Sequence, residues 1–207
     1  EPDHIPVPVA ARYTPADLLR PLLSNPVFLN FALTAALWNF ALNIAGPFFS
    51  VYQAKVLLLT PVVIGLLATV SSISGLPAQR ILGPLVDRLG SRRVQLITGF
   101  MIPLLPTAWF FARSAWHIVL INLFSGFLWA GYSLAAFNLL LELTPPEQRA
   151  RASALYQIIV SISLAAGAAV GGFTVAHLGF KTVFLLSAGG RWLAAILFAR
   201  MVPETPK

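Results

Sequence analysis

Apolar residues run in long blocks along this chain, cut by short polar breaks. Six blocks stand out, over residues 26–52, 61–84, 92–112, 116–141, 147–176 and 180–201. A helix needs roughly 20 apolar residues to cross the hydrocarbon of a bilayer, and each block meets that length. None alternates apolar and polar positions with a period of two, which excludes membrane strands. The pattern therefore predicts an all-α integral membrane protein with six transmembrane helices. Asn25-Pro26 is a helix start signal, and Thr144-Pro145-Pro146-Glu147 has the Thr-x-x-Glu form of a capping box. Pro47, Pro77, Pro103 and Pro106 fall inside blocks and are expected to kink those helices without ending them. Residues 1–25 read as a polar, Pro-rich cytoplasmic linker. Within it, Thr14-Pro15-Ala16-Asp17 opens a short amphipathic helix on the membrane surface. Residues 26–203 form the bundle and 204–207 a cytoplasmic tail.

Composition narrows the class further. Hydrophobic residues make up 57% of the 207 and charged residues only 10%, against about 25% charged in soluble domains. The mean hydropathy is +0.80. In water such a chain would be covered in apolar patches, so a soluble enzyme is excluded and the main partner is membrane lipid. There is no cysteine, hence no disulfide, thiol nucleophile or cysteine metal site. The net charge of +7 comes from unevenly placed cations. With six crossings, one side receives Arg12, Arg20, Arg80, Arg88, Arg92, Arg93, Arg149, Arg151, Arg200 and Lys207; the other receives Lys55, Arg113 and Lys181. Lys and Arg collect on the cytoplasmic side, which puts both termini in the cytoplasm and explains the basic balance without nucleic acid. Eleven Arg against three Lys suits a bacterial source, and so an inner membrane.

A shift of 89 residues uncovers a repeat. It lays Gly83, Val86, Leu89, Gly90, Val94 and Leu96 on Gly172, Val175, Leu178, Gly179, Val183 and Leu185, and Arg92 on Lys181. Three predicted crossings separate the two segments, so they belong to opposite faces. The chain then reads as a 3+3 inverted repeat. The second copy replaces Asp87-Arg88 by Ala176-His177, as a segment on the outer face should.

Gly83-x-Leu85-x-Asp87-Arg88-x-Gly90-x-Arg92-Arg93, between the second and third crossings, resembles the signature loop of the major facilitator superfamily. Ser91 stands where that family commonly has a basic residue. Glu142 followed by Pro145-x-Glu147-x-Arg149-x-Arg151 is similar to the same family at the fourth-to-fifth junction. The resemblance implies a twelve-helix carrier of two halves, with the six crossings here as its C-terminal half and an N-terminal six-helix half, or a partner membrane subunit, beside it. It implies secondary transport of a small solute by alternating access, with the first, second, fourth and fifth crossings facing the centre. A different class remains open: a non-transporting structural or assembly subunit derived from such a half. A half-carrier that pairs with itself is a third.

Candidate chemistry is sparse. Asp87 is expected to accept hydrogen bonds from a helix N-terminus of the other half, while Arg88, Arg92 or Arg93 pairs with Glu142 as a conformational latch with Gly83 and Gly90. The alternative is a solvated turn whose arginines only set topology. Trp38, Asn39 and Asn43 on the first crossing, Asn122, Trp129 and Tyr132 on the fourth, and Gln157 and Ser161 on the fifth form a candidate substrate cavity, because amides are costly in lipid and face the interior. Singly, each could equally be an interhelical hydrogen bond worth about 0.6 kcal/mol. Arg191 is the one charge near the middle of a block, a candidate for function or for a backbone-paired cation. Gly167-x-x-x-Gly171 permits close helix packing. No carboxylate lies in a block's core. No nucleophile–base pair, phosphate loop or metal-ligand cluster is present, so neither enzyme chemistry nor a cofactor is expected.

Overall fold

The computed structural model describes Leu22 and residues 24–204. The expected surface helix and most of the linker, and the tail residues 205–207, lie outside the described residues. Asn25 caps the first helix, its side chain accepting from Val27 N at 3.0 Å and Phe28 N at 3.3 Å, with Pro26 at the first helical position. Helix α1 spans Pro26–Ala45 and α2 spans Phe48–Lys55. Pro47 has no N–H to donate, so the hydrogen-bond ladder lapses between them. Gly46 (φ −46°, ψ −59°) and Pro47 (φ −65°, ψ −23°) nevertheless stay right-handed helical, so the path bends and continues. Pro103 acts in the same way between α4 (Ser91–Met101) and α5 (Leu104–Phe111), with φ −61° and ψ −19°. Pro77 lies within α3 (Pro61–Leu89), and α6 spans Ala115–Glu142.

Two local expectations are corrected. The Gly83–Arg93 segment is not an open turn. Helix α3 continues through Pro84 and Asp87 to Leu89, and only Gly90 leaves the helical region, at φ 87° and ψ 151°. A proline removes one N–H from a helix and leaves the flanking bonds intact, so Pro84 bends α3 without ending it. Nor does Thr144 cap the helix that follows. Its Oγ1 donates back to Leu140 O at 2.8 Å, and the 3₁₀ turn Pro146–Gln148 has no side-chain cap. Two consecutive prolines remove most of the N–H groups a capping Thr144 could have accepted from.

Five helical stretches among the described residues are long and apolar enough to cross a membrane: Pro26–Lys55, Pro61–Leu89, Ser91–Phe111, Ala115–Glu142 and Pro146–Met201. The last is 56 residues long, more than twice the roughly 20 residues one crossing needs. Its helix α7, Arg149–Met201, is broken at Gly179 (φ 79°, ψ 172°), where two helices meet at a kink. Gly90 and Gly179, the pair superposed by the 89-residue shift, are the two glycines with positive φ among the described residues.

Helix α1 packs along α7 on both sides of that kink, and α3 packs along α6. Asn43 Nδ2 donates to Leu164 O at 2.7 Å and Ser187 Oγ to Ala41 O at 2.6 Å. Across the other pair, Asn122 Nδ2 donates to Leu67 O at 2.7 Å. Large apolar side chains cover the outside. Val62 and Leu76 on α3, Trp116 and Phe124 on α6, and Ile162 and Phe173 on α7 are all exposed. Such a surface is stable only where hydrocarbon is the solvent.

Candidate functional site

Helices α1 and α6 face each other through three aromatic rings. Trp38 stacks on Tyr132 with centroids 4.6 Å apart and planes 15° from parallel. Trp129 meets both rings edge-on, at 6.4 Å from Trp38 and 5.6 Å from Tyr132. Of the clefts beside Trp129, two take in further residues expected at the cavity. One, of about 300 Å³, is lined by Trp38, Asn39, Trp129, Tyr132, Tyr156 and Gln157. The other, of about 480 Å³, includes Asn43, Trp109, Asn122, Trp129 and Arg191 in its lining. Seven of the eight residues expected at a cavity thus line these two clefts. Ser161 lies on an exposed part of α7 and lines neither.

The amides are partly committed to structure. Asn43 and Asn122 tie α1 to α7 and α6 to α3 through the bonds given above, and Asn39 Nδ2 donates to Ala35 O within α1 at 2.8 Å. The helices can come this close because of glycine. A side chain at Gly167 or Gly171 would run into the backbone carbonyl of Phe40 or Ile44, and one at Gly126 into that of Ser71. Trp109, Tyr156 and Gln53 also line the clefts but were not singled out from sequence, since nothing in their spacing sets them apart from other aromatic and polar positions.

Arg191 is buried on α7. Its Nη2 donates to Leu42 O at 3.3 Å, and its Nε has no partner. Gly190 against Ala41 brings the two backbones together here.

At one end of the bundle, Gly90 redirects the chain from α3 into α4. A cleft of about 690 Å³ lies there, lined by Asp87, Gly90, Arg92, Arg93, Glu142 and Glu204 among others. Ser91, the departure from the family pattern, donates its Oγ to Glu142 Oε1 at 2.6 Å. Arg92 and Arg93 reach Glu204 at 3.7 Å and 3.4 Å. Arg92 also donates from Nε to Val202 O at 2.7 Å and from Nη2 to Ala199 O at 2.8 Å, satisfying carbonyls at the C-terminal end of α7. Charge-assisted bonds of that kind are worth about 1.5–3 kcal/mol, whereas the exposed Arg93–Glu204 pair is worth about 0–1 kcal/mol. Glu204 was missed in the sequence because it lies beyond the last block, 111 residues from Arg93. Asp87 is exposed and has no hydrogen-bond or ion-pair partner among the described residues. Arg88 lies in the last turn of α3, and Gly83 sits inside that helix with open space around it.

Comparison with known proteins gives three findings. The family model described as Major Facilitator Superfamily matches residues 27–207. The multi-drug resistance efflux pump PmrA of Streptococcus pneumoniae, from two strains, is 28% identical over 140 residues, which is 68% of this chain and 35% of the pump. A crystal structure of a bacterial homologue of the iron transporter ferroportin, in an outward-facing state, superposes with a TM-score of 0.70 at 24% identity, covering 92% of this chain and 49% of that one. At that identity the likeness shows the fold alone. The chain spans about a third of the length of the curated relatives it matches.

Proposed function

The chain belongs to the major facilitator superfamily, and on that premise we propose that it is the C-terminal six-helix half of a secondary carrier moving a small solute across a bacterial inner membrane. Both termini are cytoplasmic in this reading. The observation that carries it is the pairing of Gly90 with Gly179: the same rare backbone conformation, 89 residues apart, at the two positions the sequence repeat aligns. Counting Gly179 as a turn divides α7 into two crossings and gives six in two triplets of opposite orientation. The cross-helix bonds agree with that arrangement. Asn43 joins the first crossing to the fifth, and Asn122 joins the fourth to the second, which is the same pairing after exchange of triplets.

A carrier of this kind works by rocking two bundles about a midplane site. The two clefts described beside Trp129 are this half's share of that site: the smaller is lined from the first, fourth and fifth crossings, and the larger from the first, second, third, fourth and sixth. Trp38, Asn39, Asn43, Asn122, Trp129, Tyr132 and Gln157 are its proposed contacts, and Ser161, outside both clefts, is left out. The Asp87 end supplies the latch. An exposed carboxylate without a partner among the described residues is available to a helix N-terminus of the other half, where the helix dipole favours an anion by about 0.3–1 kcal/mol. Release of that contact accompanies the switch between access states.

The test is transport by the complete protein in proteoliposomes against a panel of small solutes. At least one solute should move, and Asp87→Asn should lower its rate several-fold while leaving the unfolding temperature unchanged. If no solute moves with the complete, folded protein, the non-transporting subunit replaces the carrier.

A further inference from the structure

Arg191 is 2% exposed and lies ten residues before the end of α7, about 15 Å inside the helix end. A guanidinium has five N–H donors and no way of shedding its charge. Arg191 directs Nη2 to Leu42 O at 3.3 Å, a long bond, and its buried Nε has no partner. The ion pairs of Arg92 and Arg93 with Glu204 lie elsewhere, and Arg191 has none among the described residues. An isolated cation in the interior of a membrane bundle is costly and persists where something compensates it.

The surroundings show what form that compensation takes. Arg191 lines the 480 Å³ cleft, which is within the size range of small-molecule sites. The amides nearby, on Asn43 and Asn122, each give one of their two N–H groups to a backbone carbonyl, and the guanidinium is the one charged donor on the cleft's lining. Trp109, Trp129 and Phe49 provide aromatic wall. Gln53 Oε1, on the lining of the same cleft, is also buried without a partner. As an acceptor it repels an anion and suits an N–H or O–H group. It lies on α2, beyond the Gly46-Pro47 bend from the Leu42 carbonyl that holds Arg191, so the cleft offers a cation on α7 and a neutral acceptor on α2.

We propose that the Arg191 end of this cleft binds the anionic group of an amphipathic organic solute, a carboxylate above all, whose apolar body lies against the tryptophans. The planar guanidinium matches a carboxylate with two parallel N–H···O bonds. The inference rests on the carrier reading, since it names the class of solute that the proposed cavity takes.

Calorimetric titration of the complete protein in detergent tests it with three probes of one shape: naphthoate, naphthamide and naphthylmethylammonium. Naphthoate should bind about tenfold or more tightly than the amide, and the ammonium probe more weakly than either. Arg191→Lys should keep a reduced preference for the carboxylate, and Arg191→Gln should bring the carboxylate-to-amide ratio to about one. Absent naphthoate binding, a wild-type ratio near one, a preference for the cation, or an undiminished preference in Arg191→Gln would each overturn the proposal and assign the guanidinium to an acid elsewhere in the protein. If Arg191→Gln does not fold, the wild-type ranking and the Arg191→Lys ratio decide. Because binding alone is read, failure here leaves the carrier reading intact. Conversely, anion-selective binding without transport of any solute sinks the carrier reading alone.

Discussion

Gly126 has no side chain at the point where α6 crosses α3, and a Cβ there would collide with Ser71 O and Ser74 Oγ. Gly167 makes the same allowance where α7 crosses α1, against Phe40 O. Gly65, on the open side of α3, has nothing within reach of an added methyl. These three sites therefore separate packing from propensity. Gly126→Ala and Gly167→Ala should each destabilise the folded protein by about 1–3 kcal/mol, because the helices must move apart. Gly65→Ala should be neutral or stabilising by up to about 1 kcal/mol, because alanine is the better helix former. Unfolding in one detergent measures all three, and equal shifts would refute the distinction. The Gly167-x-x-x-Gly171 pair was legible in the sequence from its spacing. Gly126 was not, since no second glycine follows four residues on, and only the crossing itself reveals its role. The half-buried Asn43 and Asn122 were singled out in the sequence, while the buried Gln53 and Gln95 were not. The acceptors of the two asparagines, the carbonyls of Leu164 and Leu67, belong to other helices and have no mark in the sequence.

At the scale of elements, the apolar blocks gave the helices, and the errors collected at their ends. The blocks report where hydrocarbon begins and stops. Helical hydrogen bonding runs on past that point, which is why α3 includes Asp87 and reaches Leu89. The glycine that does end it was within the motif, but nothing in the sequence separates Gly90 from Gly83, which is helical. Substitution does separate them. Gly90→Ala and Gly179→Ala should each lose about 1–2 kcal/mol, since φ values of 87° and 79° are strained for a residue with a Cβ, while Gly83→Ala should lose nothing. Comparable losses at the first two sites, read from denaturation midpoints, support their equivalence as turns; a neutral Gly179→Ala would contradict it. The end of α7 depends on Arg92 through the carbonyls of Ala199 and Val202. Arg92→Ala should therefore raise backbone amide exchange in the segment 196–204 and leave α6 unchanged. Arg92→Lys should restore little, because an ammonium lacks the rigid fork that reaches two carbonyls. Exchange followed by mass spectrometry decides, and unaltered protection in 196–204 would rule out the clasp.

For the whole molecule, solvation by hydrocarbon governs everything else. Composition, block length and the exposed apolar exterior agree on it, and so does membership of a family of multi-pass carriers. The sequence reached the family and the all-helical membrane class because both follow from local patterns. It did not reach the clasp of Arg92 on the Ala199 and Val202 carbonyls or the unpartnered Nε of Arg191, which depend on how distant segments meet. The account's central claim is six crossings in two inverted triplets, with the turns at Gly90 and Gly179 on opposite faces. These 207 residues have no cysteine, and any in the rest of the complete protein are first replaced by serine. Arg93→Cys and His177→Cys, both at exposed positions, should be made in the complete protein and treated in intact cells with a membrane-impermeant maleimide. The cysteine at 177 should label from outside, and that at 93 only after the membrane is permeabilised. Labelling of both from the same side would contradict the inverted arrangement and the carrier built on it.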